Sequence, residues 1–133
     1  MAKTVLVVDD MVFVRKVLIE ILTQAHYQVV GEATNGAEAL ELYEKLRPNL
    51  VTMDIVMPQM SGLDATKKIL KLDKTAKVII ISAMGQENLV MEAIAVGARD
   101  YILKPFSAEE VLKTVERALL GDQHMLNRTS KSF

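Results

Sequence analysis

Five short runs of apolar, mostly β-branched residues punctuate the chain, at positions 5–8, 28–33, 50–53, 77–81 and 101–103. Four of them are continuous rather than alternating, the pattern of parallel strands covered on both faces. Between them lie segments with helical periodicity and helix-start signals. Asn35 is followed three residues later by Glu38, Ser61 by Asp64, and Ser107 by Glu110. Each pair sets an acidic side chain three positions after a capping residue. Pro48, Gly97 and Gly121 mark the ends of the second, fourth and fifth helical segments. At ~100° per residue, Val14, Val17, Leu18, Ile21, Leu22 and Ala25 share one face of the first helix. Val12 falls nearly opposite that face and Phe13 lies at its border. In the fourth helix Leu89, Val90, Ala93, Ile94 and Val96 make the expected core face, with Met91 and Ala95 turned toward solvent.

Strand followed by helix, five times over, predicts an α/β domain: a doubly wound, five-stranded parallel sheet with right-handed crossovers and five helices. At this length the expected strand order is the flavodoxin-like 2-1-3-4-5. The 133 residues suffice for one domain with a core of its own. It is expected to span residues 1–121, with the polar, unpatterned stretch 122–133 as a disordered tail. Lys and Arg number 16 against 17 Asp and Glu, a net charge of −1. That balance gives no reason to expect nucleic-acid or membrane-surface binding. The absence of cysteine excludes disulfides and thiolate metal sites. No apolar run reaches membrane-spanning length and no signal-peptide pattern opens the chain, so a soluble, cytoplasmic protein is expected. His26 and His124 have no metal-ligand spacing and are expected at the surface.

The polar residues are placed less evenly than the apolar ones. The first strand ends in Asp9-Asp10, the third in Asp54, the fourth in Ser82 and the fifth in Lys104. In an open parallel sheet, ligands bind beyond the C-terminal strand ends at the switch point, here between strands 1 and 3. Three carboxylates converging there repel one another. A hard divalent cation relieves that conflict, and Mg²⁺ takes oxygen ligands, few carboxylates and often a phosphate oxygen. With the Lys104 ammonium and the Ser82 hydroxyl alongside, the set is suited to phosphoryl transfer, with Asp54 as nucleophile and phosphoacceptor. Taken singly, Asp10 could cap the first helix, Asp54 could be a satisfied strand-end carboxylate, and Ser82 and Lys104 could be ordinary strand-end and loop residues. The combination on one sheet edge is what favours the chemistry.

Val7-Val8-Asp9-Asp10, Met53-Asp54-Ile55-Val56-Met57-Pro58 with Gly62, Ser82-Ala83 and Lys104-Pro105-Phe106 occur in the order and at the spacing of a known family. Over roughly residues 3–120 the chain resembles the receiver domains of two-component response regulators, most of all the chemotaxis (CheY-like) single-domain type. The resemblance implies that Asp54 accepts a phosphoryl group from a sensor-kinase histidine. It implies Mg²⁺, with Mn²⁺ a substitute, held by Asp10 directly, by Asp9 mostly through water, by Asp54 and by the backbone carbonyl of Val56. It further implies that Ser82 hydrogen-bonds the phosphoryl group, that Lys104 pairs with it, that Tyr101 is an aromatic switch, and that the Lys104–Pro105 bond is cis. Such a domain catalyses only its own phosphorylation and slow dephosphorylation and is not an enzyme for an external metabolite. Val56 and Met84, two residues after Asp54 and Ser82, are apolar and cannot orient an attacking water, so a long-lived phosphoaspartate is expected.

The partners implied are a sensor histidine kinase or histidine phosphotransfer domain at helix 1, near Val12 and Phe13, and an output target on the helix 4–strand 5–helix 5 face. Met91, Ala95 and Tyr101 would border that face, and the flagellar motor switch is the target the resemblance suggests. A monomer is expected. The alternative within the family is the receiver of a phosphorelay or transcriptional regulator whose output domain is absent from this chain. Two rivals of other classes fit less well. A haloacid-dehalogenase-type phosphatase needs a second aspartate where Val56 stands. A flavin carrier needs a hydroxyl- and glycine-rich loop where Asp9-Asp10-Met11-Val12-Phe13 stands.

Overall fold

The apolar runs form a sheet covered by helices on both faces. The computed structural model describes residues 2–120, and all residue-level statements concern these. The elements follow as β1 (Thr4–Val8), α1 (Val12–Gln24), β2 (Gln28–Ala33), α2 (Gly36–Leu46), β3 (Leu50–Asp54), α3 (Gly62–Leu72), β4 (Val78–Ser82), α4 (Glu87–Ala95), β5 (Asp100–Leu103) and α5 (Ala108–Leu120). The sheet order is β2-β1-β3-β4-β5, with every pairing parallel, as the sequence pattern predicts.

Successive strand residues point to opposite faces, which divides the apolar runs between two cores. Leu6, Val8, Val51, Met53, Val78 and Ile80 pack with Tyr43 of α2, Ile69 of α3 and Ala93 of α4. Val5, Val7, Leu50, Ile79, Ile81 and Ile102 pack with Leu18 and Leu22 of α1 and with Val111 and Val115 of α5. Leu18 and Leu22 are fully buried, each contributing roughly 1.5–3 kcal/mol by leaving water.

All three start signals act as helix caps. The Asn35 Oδ1 accepts from the Glu38 N–H at 2.9 Å, the Ser61 hydroxyl from the Asp64 N–H at 3.1 Å, and the Ser107 hydroxyl from the Glu110 N–H at 3.1 Å. Such caps are worth about 1 kcal/mol each. Arg47 ends α2 in a left-handed conformation ahead of Pro48, and Gly97 follows α4 at φ 121°. Gly121, His124 and the expected tail at 122–133 lie outside the described residues.

The helical wheel is right for α1: Leu18 and Leu22 are buried, and Val12 and Phe13 are exposed. Ile19, off the predicted face, is half-buried against the α1–α5 core. On α4 the prediction needs correction. Val90 and Ala93 are buried, but Ile94 and Val96 are 37% and 42% exposed. Ile94 joins Met91 and Ala95 on the outer surface because a helix of nine residues has too little contact with β4 and α3 to cover it, and Val96 lies beyond the last turn as the C-cap. Among the described residues no helix is long and apolar enough to cross a membrane.

Candidate functional site

The parallel register carries the strand-end residues to one edge. Val8 pairs with Met53 across β1 and β3, so Asp9 and Asp54, each the next residue on, come side by side. Asp54 in turn pairs with Ile81, the residue before Ser82, and Ser82 pairs with Leu103, the residue before Lys104. One carboxylate oxygen from each of Asp9, Asp10 and Asp54 lies within 4.8 Å of the others. Asp9, Asp54 and Ser82 are buried, whereas Asp10 is exposed.

Lys104 reaches in from β5. Its Nζ donates to the Asp54 Oδ1 at 3.3 Å and stands 3.1 Å from the Asp9 Oδ2. That ion pair is the contact made by this fully buried Asp9 oxygen, which has no other hydrogen-bond partner. The other Asp9 oxygen accepts from the Met11 N–H at 2.9 Å. Burial raises the Asp54 carboxyl to about 7, and the negative charge of Asp9 and a hydrogen bond with Asp10 add to the rise against the opposing pull of Lys104. Burial alone would lower the Lys104 ammonium, but the charges of Asp54 and Asp9 outweigh it and leave it raised. Lys104 therefore stays charged at neutral pH while the carboxylates remain short of positive charge.

Three converging carboxylates that share a single ammonium are an oxygen-only donor set that fits a small, hard divalent cation. Such donors suit Mg²⁺ and Mn²⁺ alike.

The loop between β3 and α3 is pinned behind Asp54. The Gly62 N–H donates to the Ile55 carbonyl at 2.9 Å. A Cβ at Gly62 would overlap the Asp54 carbonyl oxygen and lie 2.9 Å from the Ile55 Cα, so only glycine fits. Val56 in this loop and Met84 after β4 are exposed, at 49% and 82%. The Lys104–Pro105 peptide is cis. Tyr101 is half exposed on the outer side of β5, with Leu103, Met91, Ile94 and Val96 also exposed on β5 and α4. A groove of about 350 Å³ beside Lys104 is lined by Phe13, Val14, Val17, Pro105 and Phe106.

The structure thus brings together Asp9, Asp10, Asp54 and Lys104, aligns Ser82 beside them by strand register, and leaves Tyr101 outside the cluster. Two contacts to these loops went unnoticed in the sequence: Arg15 donates to the Asp9 carbonyl, and Gly36 donates to that of Met60. An arginine on a helix and a glycine after a capping asparagine carry no signal of such contacts.

The response regulator receiver domain family matches residues 5–116. The chain belongs to that family. The chemotaxis protein CheY of Thermotoga maritima is 53% identical over 117 residues, covering 88% of this chain and 98% of its own length. CheY of Bacillus subtilis is 47% identical over 119 residues, covering 90% and 99%. A Borrelia burgdorferi complex of CheX and CheY with BeF₃ and Mg²⁺ contains a chain 39% identical to this receiver, with a TM-score of 0.82 over 85% of this chain and 86% of that one.

Proposed function

We propose that this receiver takes a phosphoryl group from a phosphohistidine onto Asp54 and works as a conformational switch in chemotaxis-type signalling. The observation that carries the reading is Asp54 itself: a buried carboxylate 3.3 Å from an ammonium and clustered with two further carboxylates. An Asp54 oxygen attacks phosphorus in line, the bond from phosphorus to the histidine nitrogen breaks with its electron pair going to that nitrogen, and the imidazole, which carries a proton on its other ring nitrogen, departs neutral. The product is an acyl phosphate. Asp54 attacks as the anion, which Lys104 favours at neutral pH by opposing the effect of burial. Lys104 then holds a phosphoryl oxygen as an ion pair, and the Ser82 hydroxyl donates to another.

Asp9, Asp10, Asp54 and the Val56 carbonyl would hold Mg²⁺ or Mn²⁺, which when bound neutralises negative charge on the phosphoryl oxygens. The likeness to a chain of a CheX–CheY complex that contains BeF₃ and Mg²⁺ supports the metal. Val12, Phe13 and the apolar groove beside Lys104 suit docking of the phosphodonor, a histidine kinase or phosphotransfer domain. The α4–β5–α5 face, with Met91, Ala95 and Tyr101 and now Ile94 and Val96, suits the output target. The likeness to chemotaxis proteins makes the flagellar motor switch the target to test first. Phosphorylation would bias a two-state equilibrium in which Tyr101 turns inward as Ser82 engages the phosphoryl group. The receiver would span residues 1–121 and act as a monomer, turning over no external metabolite.

Millimolar Mg²⁺ should raise the melting temperature of the wild type, because a ligand that binds only the folded state stabilises it. Asp10→Ala should lose that response. An equal shift in the variant would remove Asp10 from the metal site.

A further inference from the structure

The corner between β2 and α2 contributes none of the residues assigned above, yet it touches both loops that do. We infer that this corner is a bracket setting the spacing of the β1–α1 and β3–α3 loops, with Gly36 and, docked on the corner from α1, Arg15 as positioning residues for the metal and phosphoryl site. The inference rests on the metal-site reading proposed above.

On one side the bracket holds the turn that carries Asp9 and Asp10. The Asp9 N–H donates to the Ala33 carbonyl at 3.0 Å. The Arg15 guanidinium donates to the Asp9 carbonyl at 2.7 Å and to the Glu32 carboxylate at 2.9 Å. The Arg15 side chain is only 11% exposed, so its charge-assisted bond to the Asp9 carbonyl is partly withdrawn from water, while the Glu32 carboxylate stays half exposed. The planar fork lets one side chain grip a backbone carbonyl and a carboxylate at once, which a lysine cannot reproduce.

On the other side the bracket holds the loop that carries Val56. The Gly36 N–H donates to the Met60 carbonyl at 2.9 Å. A Cβ at Gly36 would stand 2.6 Å from that oxygen, 2.8 Å from the Met60 Cγ and 2.9 Å from the Ser61 carbonyl. The first residue of α2 is therefore seated directly on the loop, and any side chain there drives the two apart. The same loop has Gln59 in a left-handed conformation, φ 67°. That costs a non-glycine residue of order 1 kcal/mol, and the contacts at Gly36 and Gly62 hold it. The corner is itself stiff. The Glu38 carboxylate accepts from both the backbone N–H and the hydroxyl of Thr34, at 2.7 and 2.6 Å, and the Asn35 cap closes the first turn of α2. The two loops are thus joined through Glu32, Ala33 and Gly36 of one rigid segment, so displacing either contact changes the separation of Asp10 from the Val56 carbonyl.

The test is Mg²⁺ titration by calorimetry on the full chain, for wild type, Arg15→Lys, Arg15→Met, Gly36→Ala and Asp10→Ala, with circular dichroism to establish folding. Removing groups that orient metal ligands typically weakens metal binding about 10-fold or more. The bracket predicts weakening of that order in Arg15→Met and Gly36→Ala, and an intermediate loss in Arg15→Lys. Should Gly36→Ala not fold, the two Arg15 variants decide. Folded Arg15 variants with wild-type Mg²⁺ affinity, beside a weakened Asp10→Ala, overturn the bracket alone. A wild type that binds no Mg²⁺ overturns the metal site and the bracket with it.

Discussion

Replacing Asp54 with Asn should make the metal-free protein more stable at alkaline pH, although it removes a partner of Lys104. Burial and the neighbouring Asp9 raise the Asp54 carboxyl from 3.8 to about 7. The folded state therefore binds a proton that the unfolded state has lost. Stability from this group is fully present below about pH 4, falls as pH rises, and is gone above about pH 7. At ~1.4 kcal/mol per pH unit the full span is about 4 kcal/mol. The exposed Asp10 opens the crevice to solvent, and screening brings the expected effect to about 2 kcal/mol. Asn does not ionise, so the variant escapes this loss, while Lys104 keeps its contact with Asp9 at 3.1 Å. Urea unfolding in EDTA between pH 4.5 and 8 measures the difference. Circular dichroism is the natural probe, since the chain has no tryptophan. Asp54→Asn should exceed wild type by about 2 kcal/mol at pH 8, roughly 8 °C in melting temperature, and by less than half of that at pH 5. A variant less stable than wild type, or an advantage independent of pH, would mean that the Asp54 carboxyl is not raised in the folded protein.

Gly62→Ala places a methyl group on the Asp54 carbonyl; urea unfolding should show a loss of at least about 2 kcal/mol, and labelling by acetyl phosphate should fall with it. Val56→Asn and Met84→Glu each replace an exposed apolar side chain, two residues after Asp54 and Ser82, with a polar one. Both should shorten the lifetime of the phosphoaspartate, followed by intact mass after removal of the phosphodonor, and unchanged decay in both would count against the expectation of a long-lived species.

The sheet was legible because its strands are continuous apolar runs that end abruptly in Asp9, Asp54, Ser82 and Lys104. Parallel register turns a list of strand ends into neighbours, so the convergence of Asp9, Asp10 and Asp54 could be anticipated from strand order. The caps at Asn35, Ser61 and Ser107 were legible because the local spacing is itself the interaction. The exposure of Ile94 and Val96 was not. A helical wheel orients side chains about one axis, but burial depends on how much neighbouring surface is present, and α4 meets little. The contacts of Arg15 and Gly36 were hidden for a related reason: each joins loops far apart in sequence, and neither residue type announces its partner.

Intact mass after incubation with acetyl phosphate and Mg²⁺, for wild type and Asp54→Asn, decides whether Asp54 is the phosphoacceptor. Wild type should gain one phosphoryl group, the variant none, and neither should be labelled when Mg²⁺ is withheld. Equal labelling of Asp54→Asn would contradict that role, and so would a wild type that takes up no phosphoryl group and shows no Mg²⁺-dependent binding of beryllofluoride.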